Sequence, residues 1–363
     1  MVPLFAADDK FADVVAALQA RGWRRLPFVG CPLKCDLKWT NYAKVAWARV
    51  ASDQFVNHLQ HAALFSQKDR LAELLYAQAA SQVGGQRRLD GCFPRTFDFS
   101  QPRGRTLARR WLLYSQAVAV LKGSLEEGVR VDGAQLEAAE KLVELILADE
   151  QFFECWRSRE DSGEWEKAMA SGSGLAAAID AHRRREVERL LVELEQRDAQ
   201  FHAVGGADGG VWICKPSNLS QGRGIVLSRS LREVLEITAP QGDEDTEKQE
   251  GTASSTAKWV VQKYIERPLL LQNGRKFDIR QWVLITQLEP KPKAFWFDQS
   301  YLRFCTRKFD LTRLEDRFTH LSNYSVQQHF VPVETADADQ PAGESEDKLE
   351  PMWLSERLRE TLR

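Results

Sequence analysis

Lys276, Asp278 and Arg280 alternate along one short run, Lys276-Phe277-Asp278-Ile279-Arg280. In an extended strand alternate residues share a face. These three charges therefore take one side, and Phe277, Ile279 and Gln281 the other. Three charges opposite apolar residues belong either on a solvated sheet face or in a polar cleft that binds an anion. Other cations and amides closing short apolar runs favour the cleft. Lys215 ends Val211-Trp212-Ile213-Cys214 and precedes Pro216, which stops a ladder. An ammonium there can meet a phosphate. Gly222 and Gly224 in the next loop let backbone N–H groups come close, although the spacing matches neither a P-loop nor a Rossmann turn and suits an ordinary hairpin loop equally. Gln262-Lys263-Tyr264-Ile265 closes Trp259-Val260-Val261. It is either a core strand leaving its sheet or a segment offering backbone groups to an adenine edge. Arg303 lies among aromatics in Tyr301-Leu302-Arg303-Phe304. His320 and Asn323 sit at a strand-to-helix junction, where a histidine is structural or, beside an anionic ligand, a ribose or phosphate contact. Together these residues suit a nucleotide held between sheets.

Periodicity places the elements around them. Residues 11–21 predict a short helix with Val14, Val15 and Leu18 on one face, then a strand start at Gly22-Trp23. Helices are also predicted over 55–76, 109–121, 134–147 and 175–200. Leu136, Leu142, Leu145 and Ile146 mark one apolar stripe; Val187, Leu190, Leu191 and Leu194 mark another. Residues 92–98 read as extended, since Pro94 pushes its predecessor out of helix. Arg183-Arg184-Arg185 fits a solvated helix face better than a nucleic-acid patch, which would need nearby aromatics and more cations. Residues 1–130 form an expected N-terminal lobe and 131–205 a helical segment. Residues 206–330 form the nucleotide-binding region, and 331–363 an acidic linker with a terminal helix. The stretch 240–257 reads as a disordered surface insertion, lacking branched aliphatics and aromatics to bury. Replacing it with a short Gly/Ser linker should leave the melting temperature nearly unchanged.

The bulk numbers describe a globular chain of 363 residues, 43% hydrophobic and 28% charged, with a formal net charge of −2. The balance is uneven. Residues 258–330 hold 13 Lys and Arg against 7 Asp and Glu. Residues 331–350 hold 7 acids and one Lys. An anionic ligand is expected at the first stretch and a solvated linker at the second. The six cysteines are scattered, and the Cys31/Cys35 spacing matches no strong zinc or redox signature. No window approaches a membrane span, and no basic leader precedes the first helix. A cytosolic monomer without nucleic-acid or membrane partners is expected.

The order of these motifs resembles the tubulin tyrosine ligase-like family of ATP-grasp ligases, densely over residues 212–328. Glu266-Arg267-Pro268-Leu269-Leu270, Arg280-Gln281-Trp282 and Ala294-Phe295-Trp296-Phe297 look most like its glycine ligases, which modify tubulin in cilia. The N-terminal half agrees more loosely, through Arg21-Gly22-Trp23, Val56-Asn57-His58 and Phe93-Pro94-Arg95. The resemblance implies an α/β (α+β) ATP-grasp domain and ATP with magnesium as cofactors. It implies tubulin and glycine, or alternatively glutamate, as substrates, and work in the cytoplasm, cytoskeleton and ciliary axoneme. It would put Lys215, Lys276 and the Lys263 side chain on the nucleotide, Arg223 and Gly224 in the loop over its phosphates, and Gln262, Lys263, Tyr264 and Ile265 at the adenine. Asp278, Arg280 and Arg303 would line the reacting centre, with His320, Leu321, Ser322 and Asn323 beside it. Lys68 matches a phosphate-contacting lysine. The chemistry implied is attack of a carboxylate on ATP, then displacement of phosphate from the acyl phosphate by an amine; both steps build negative charge. One departure is that no Asp…Glu-Ile-Asn strand follows Phe330, so the magnesium ligands and the end of the domain are expected to be missing. The chain alone is then expected to be without turnover, and the alternative to a ligase is a catalytically inactive nucleotide- or microtubule-binding module.

Overall fold

The computed structural model describes residues 2–31, 33–158, 165, 176–177, 179–206, 209–239, 258–331 and 350–363. The expected insertion at 240–257, and the acidic linker up to residue 349, lie outside the described residues. The chain divides into two compact units, Met1–Leu71 and Ala72–Arg363.

The first unit is a parallel sheet of β1 (Leu4–Ala7), β2 (Arg24–Arg25), β3 (Leu37–Trp39) and β4 (Phe55–Val56), in the order β2-β1-β3-β4. The helix Ala12–Ala20 makes the first crossover, as parallel pairing requires. The helix expected over 55–76 begins later. Phe55 N–H donates to Asp36 O at 2.8 Å and Asn57 N–H to Lys38 O at 3.1 Å, so the edge of β3 takes this backbone for a ladder. Helix follows only at Ala63–Ser66 and Lys68–Ala80.

In the second unit, β5 (Thr96–Asp98) opens the main sheet and β6 (Val131–Asp132) pairs with β7 (Ala176–Ala177). β8 (Trp212–Pro216), β9 (Val226–Ser228) and β10 (Trp259–Lys263) complete an antiparallel sheet in the order β5-β10-β8-β9. A second sheet orders β11 (Leu270–Leu271), β12 (Arg275–Arg280), β15 (Tyr301–Lys308) and β16 (Met352–Leu354) as β11-β12-β15-β16; β13 (Val283–Gln287) and β14 (Lys293–Trp296) form a hairpin. The fold is mixed α/β with helical segments.

Three long helices pack together in the core of the second unit, and the first of them meets the main sheet at β5. Pro102–Ser124 starts with proline in its first turn, where the missing N–H costs nothing. It buries Trp111, Leu112, Tyr114, Ala117, Val118 and Leu121 in the core of the second unit. Gly133–Leu147 and Ala181–Arg197 are capped by Asp132 and Asp180, each carboxylate accepting two backbone N–H groups of the first turn. Their expected stripes are buried except for Leu145, which is exposed. A strand does follow Phe330: Trp353 of β16 sits opposite Leu302 and packs on Phe304. Among the described residues no helix is long and apolar enough to cross a membrane.

Candidate functional site

The candidate side chains of the second unit lie on and beside its two four-stranded sheets. In the first sheet Lys215 lies opposite Val260, and Gln262 lies two positions further along β10, so the two side chains are diagonal neighbours on one face. Lys215 Nζ donates to Gln262 Oε1 at 2.6 Å, and Gln262 Nε2 donates to Thr96 Oγ1 at 2.7 Å. Lys263, the next residue, points the other way. Its ammonium is buried, donating to Val211 O at 2.9 Å, to Tyr264 O at 3.1 Å and to the Glu266 carboxylate. Burial pushes it down to about 8 against the pull of Glu266. Its ammonium is thus held in the core by three partners, and strand alternation faces Gln262 and Lys263 apart. Ile265, just beyond, is half exposed.

The loop after β8 is shaped by three residues with positive φ, Gln221, Gly222 and Gly224. Arg317 Nη2 donates to Gly222 O at 2.8 Å, and Ser325 Oγ donates to Gln221 O at 2.9 Å. The loop is thereby tied to the segment carrying Leu321, Ser322 and Asn323. A Cβ on Gly222 would lie 2.9 Å from Val326 Cγ2 and 3.2 Å from Asn323 Oδ1. Gly222→Ala should therefore displace the loop, at a cost of about 1–3 kcal/mol from the left-handed backbone and the contact together; a denaturation midpoint equal to the parent's would show that the loop gives way. Arg223 at the loop tip is exposed.

In the second sheet Lys276 Nζ donates to His320 O at 2.7 Å and to Tyr264 Oη at 3.1 Å. Tyr264 Oη lies 3.0 Å from His320 Nδ1, and His320 Nε2 lies 3.0 Å from Arg313 O. A carbonyl only accepts, so Nε2 carries the proton and Nδ1 accepts from the tyrosine. Burial lowers the basicity of His320 and of Lys276, which agrees with a neutral imidazole. Asp278 and Arg303 are direct partners across β12 and β15 and form a two-point ion pair, with Arg303 Nε to Asp278 Oδ1 at 2.9 Å. That bond raises the basicity of Arg303. Arg280 is exposed at the end of the same face. Lys68 belongs to the first unit, where it starts the helix Lys68–Ala80; burial pushes its ammonium down.

Magnesium takes oxygen ligands in near-octahedral array, usually including one or two carboxylates. The Asp278 carboxylate is occupied by Arg303, and its neighbours on this face are cations. Among the described residues no three His, Cys, Asp or Glu side chains group as a metal site. The described side chains do not fit the metal.

Sequence reasoning missed the groups behind the site: Thr96, Glu266, Arg317 and Ser325. Thr96 was visible as a hydroxyl in the extended run after Pro94. Arg317 and Ser325 carry no local signal, because each works through a backbone contact far along the chain, whereas Glu266 pairs with Lys263 three residues away and with two distant backbone N–H groups.

Residues 151–361 match the tubulin-tyrosine ligase family. Tubulin glycylase 3D of Tetrahymena thermophila is 26% identical over 411 residues, spanning 90% of this chain and 37% of that protein. Human tubulin monoglycylase TTLL3 is 41% identical over 143 residues, 39% of this chain and 17% of its own. Human protein monoglycylase TTLL8 is 40% identical over 153 residues, 42% of this chain and 16% of its own. The chain thus spans less than two fifths of the length of these relatives. With more than half of its residues matched, Lys215, Lys263, Lys276, the Gly222–Gly224 loop and the second-sheet charges among them, the chain belongs to the tubulin-tyrosine ligase family.

Proposed function

We propose that the chain carries the nucleotide cleft of an ATP-grasp ligase that joins glycine to glutamate side chains of tubulin. The observation that supports this best is Lys215, aimed by Gln262 at the strand end beside the Gly222–Gly224 loop, within a stretch similar to glycine ligases. In this reading Lys215 and the loop around Arg223 and Gly224 meet the ATP phosphates. The backbone of residues 262–265 meets the adenine. Lys276, Arg303 and Arg280 neutralise the charge that develops when a carboxylate attacks the γ-phosphate and when an amine displaces phosphate from the acyl phosphate. Leu321, Ser322 and Asn323 close the far wall through their contact with the loop. Glycine is favoured over glutamate because the relatives named above are glycylases. The reading carries with it work on microtubules, in the cytoplasm and the ciliary axoneme.

In this reading the lysines and arginines meet phosphate, and no carboxylate set among the described residues suits the metal, so the chain alone is expected to bind ATP without turnover. The test is tubulin with ATP, magnesium and radiolabelled glycine or glutamate in parallel, against a Lys215→Ala control. We expect neither amino acid to be incorporated by the chain alone. Glycine incorporation would refute the missing-metal part, and glutamate incorporation the choice of amino acid. In saturation-transfer NMR the ATP-loaded chain should give a glycine signal that glutamate does not displace.

A further inference from the structure

We propose that Thr96 is a positioning residue that aims the Lys215 ammonium through the Gln262 amide. The assignment rests on the reading of Lys215 as a phosphate-binding group. The geometry is a chain of three directed hydrogen bonds. Thr96 Oγ donates its single proton to Pro94 O at 2.6 Å. It can therefore only accept from Gln262, whose Nε2 lies 2.7 Å away. That contact sets the amide so that its oxygen, not its nitrogen, faces Lys215 Nζ at 2.6 Å. With the opposite amide orientation an N–H group would oppose the ammonium.

Thr96 is suited to be the fixed end. It is 3% exposed and lies directly opposite Gln262 in the ladder between β5 and β10. Its N–H donates to Tyr76 Oη at 2.9 Å, and the N–H of its neighbour Arg95 donates to Gln200 Oε1 at 3.1 Å. The hydroxyl thus belongs to a strand held from both sides. Lys215 has further interactions, so the relay directs the ammonium and does not hold it alone. Valine at position 96 keeps threonine's branched shape but lacks the hydroxyl, so it frees the Gln262 amide and leaves Pro94 O without that donor.

The test uses the full chain and four variants: Thr96→Val, Thr96→Ser, Lys215→Ala and Thr96→Val with Lys215→Ala. ATP affinity by calorimetry should fall about 5- to 20-fold in Thr96→Val, part of one charged hydrogen bond. It should stay within about twofold of the parent in Thr96→Ser, which keeps the hydroxyl. Thr96→Val should add nothing in the Lys215→Ala background, since coupled residues do not add. Equal losses in both backgrounds would overturn the proposal. A second readout needs no nucleotide. The acetylation rate of Lys215 by an activated acetyl ester, read by mass spectrometry, should change in Thr96→Val and be restored in Thr96→Ser. If the parent binds no ATP, the reading of Lys215 falls. The labelling rates then judge the relay separately, and an unchanged rate in Thr96→Val sinks it.

Discussion

Arg95→Ala should destabilise the chain by about 3–5 kcal/mol, the cost of removing one partner from a buried charge network. Arg95 is 3% exposed. Its guanidinium donates to Asp198 Oδ1 at 2.6 Å and Asp90 Oδ2 at 3.1 Å, and lies 3.7 Å from the centre of the Trp111 ring. Asp198 also accepts from Tyr114 Oη at 2.6 Å, and Asp90 from Trp156 Nε1 at 3.0 Å. Removal leaves two buried carboxylates without their cation. Burial already holds the Asp90 carboxyl above the ordinary range, with Arg95 pulling it down. Without Arg95 the folded state binds protons more tightly than the unfolded one. The variant should therefore regain stability as pH falls from neutral towards the unfolded carboxylate range near 4. Urea denaturation at neutral and mildly acidic pH reads both effects. A loss under about 1 kcal/mol would mean that the pair is worth no more than a surface one.

Glu266→Ala should cost a similar amount, about 3–5 kcal/mol, but with the opposite pH dependence. Glu266 is 2% exposed and accepts from Lys263, from Gly205 N–H and from Val211 N–H at 2.5 Å. Its removal strands a buried ammonium and two backbone donors. Lys263 is pushed down to about 8 even with its partner present. A base whose folded pKa is depressed binds fewer protons folded than unfolded. Stability then rises as pH climbs through the folded pKa towards the ordinary lysine range. The variant should recover part of its loss between neutral pH and about 10. A loss that is flat across that window would mean that Lys263 is not the stranded group.

Much of this arrangement was legible in the residues, for identifiable reasons. Strand alternation assigned Lys276, Asp278 and Arg280 to one face, and all three lie on the strand Arg275–Arg280. The heptad-like stripe of Val187, Leu190, Leu191 and Leu194 named a buried helix face. The start of the segment over 55–76 was misread because Phe55 and Val56 fit a helix locally, and only the open edge of β3 makes them a strand. β16 was missed because three residues after a polar stretch carry little periodic signal, although the buried Trp353 between exposed Met352 and Leu354 is strand alternation. Asp278 read as one of three charges sharing a strand face, and its pairing with Arg303 directly across was not legible, since the register of β12 with β15 is long-range information. The inward turn of Lys263 follows from strand alternation once Gln262 is known to face Lys215.

Calorimetry of ATP binding to the full chain and to Lys215→Ala, each with magnesium and with EDTA, tests the central claim most directly. The proposed site predicts that the parent binds ATP with an affinity that EDTA changes by less than about twofold, since no carboxylate set among the described residues suits the metal. It predicts that Lys215→Ala weakens binding by about 1.5–3 kcal/mol, the scale of a lost charged hydrogen bond, with an unchanged melting temperature. Equal affinity of the two folded proteins for ATP would contradict the account.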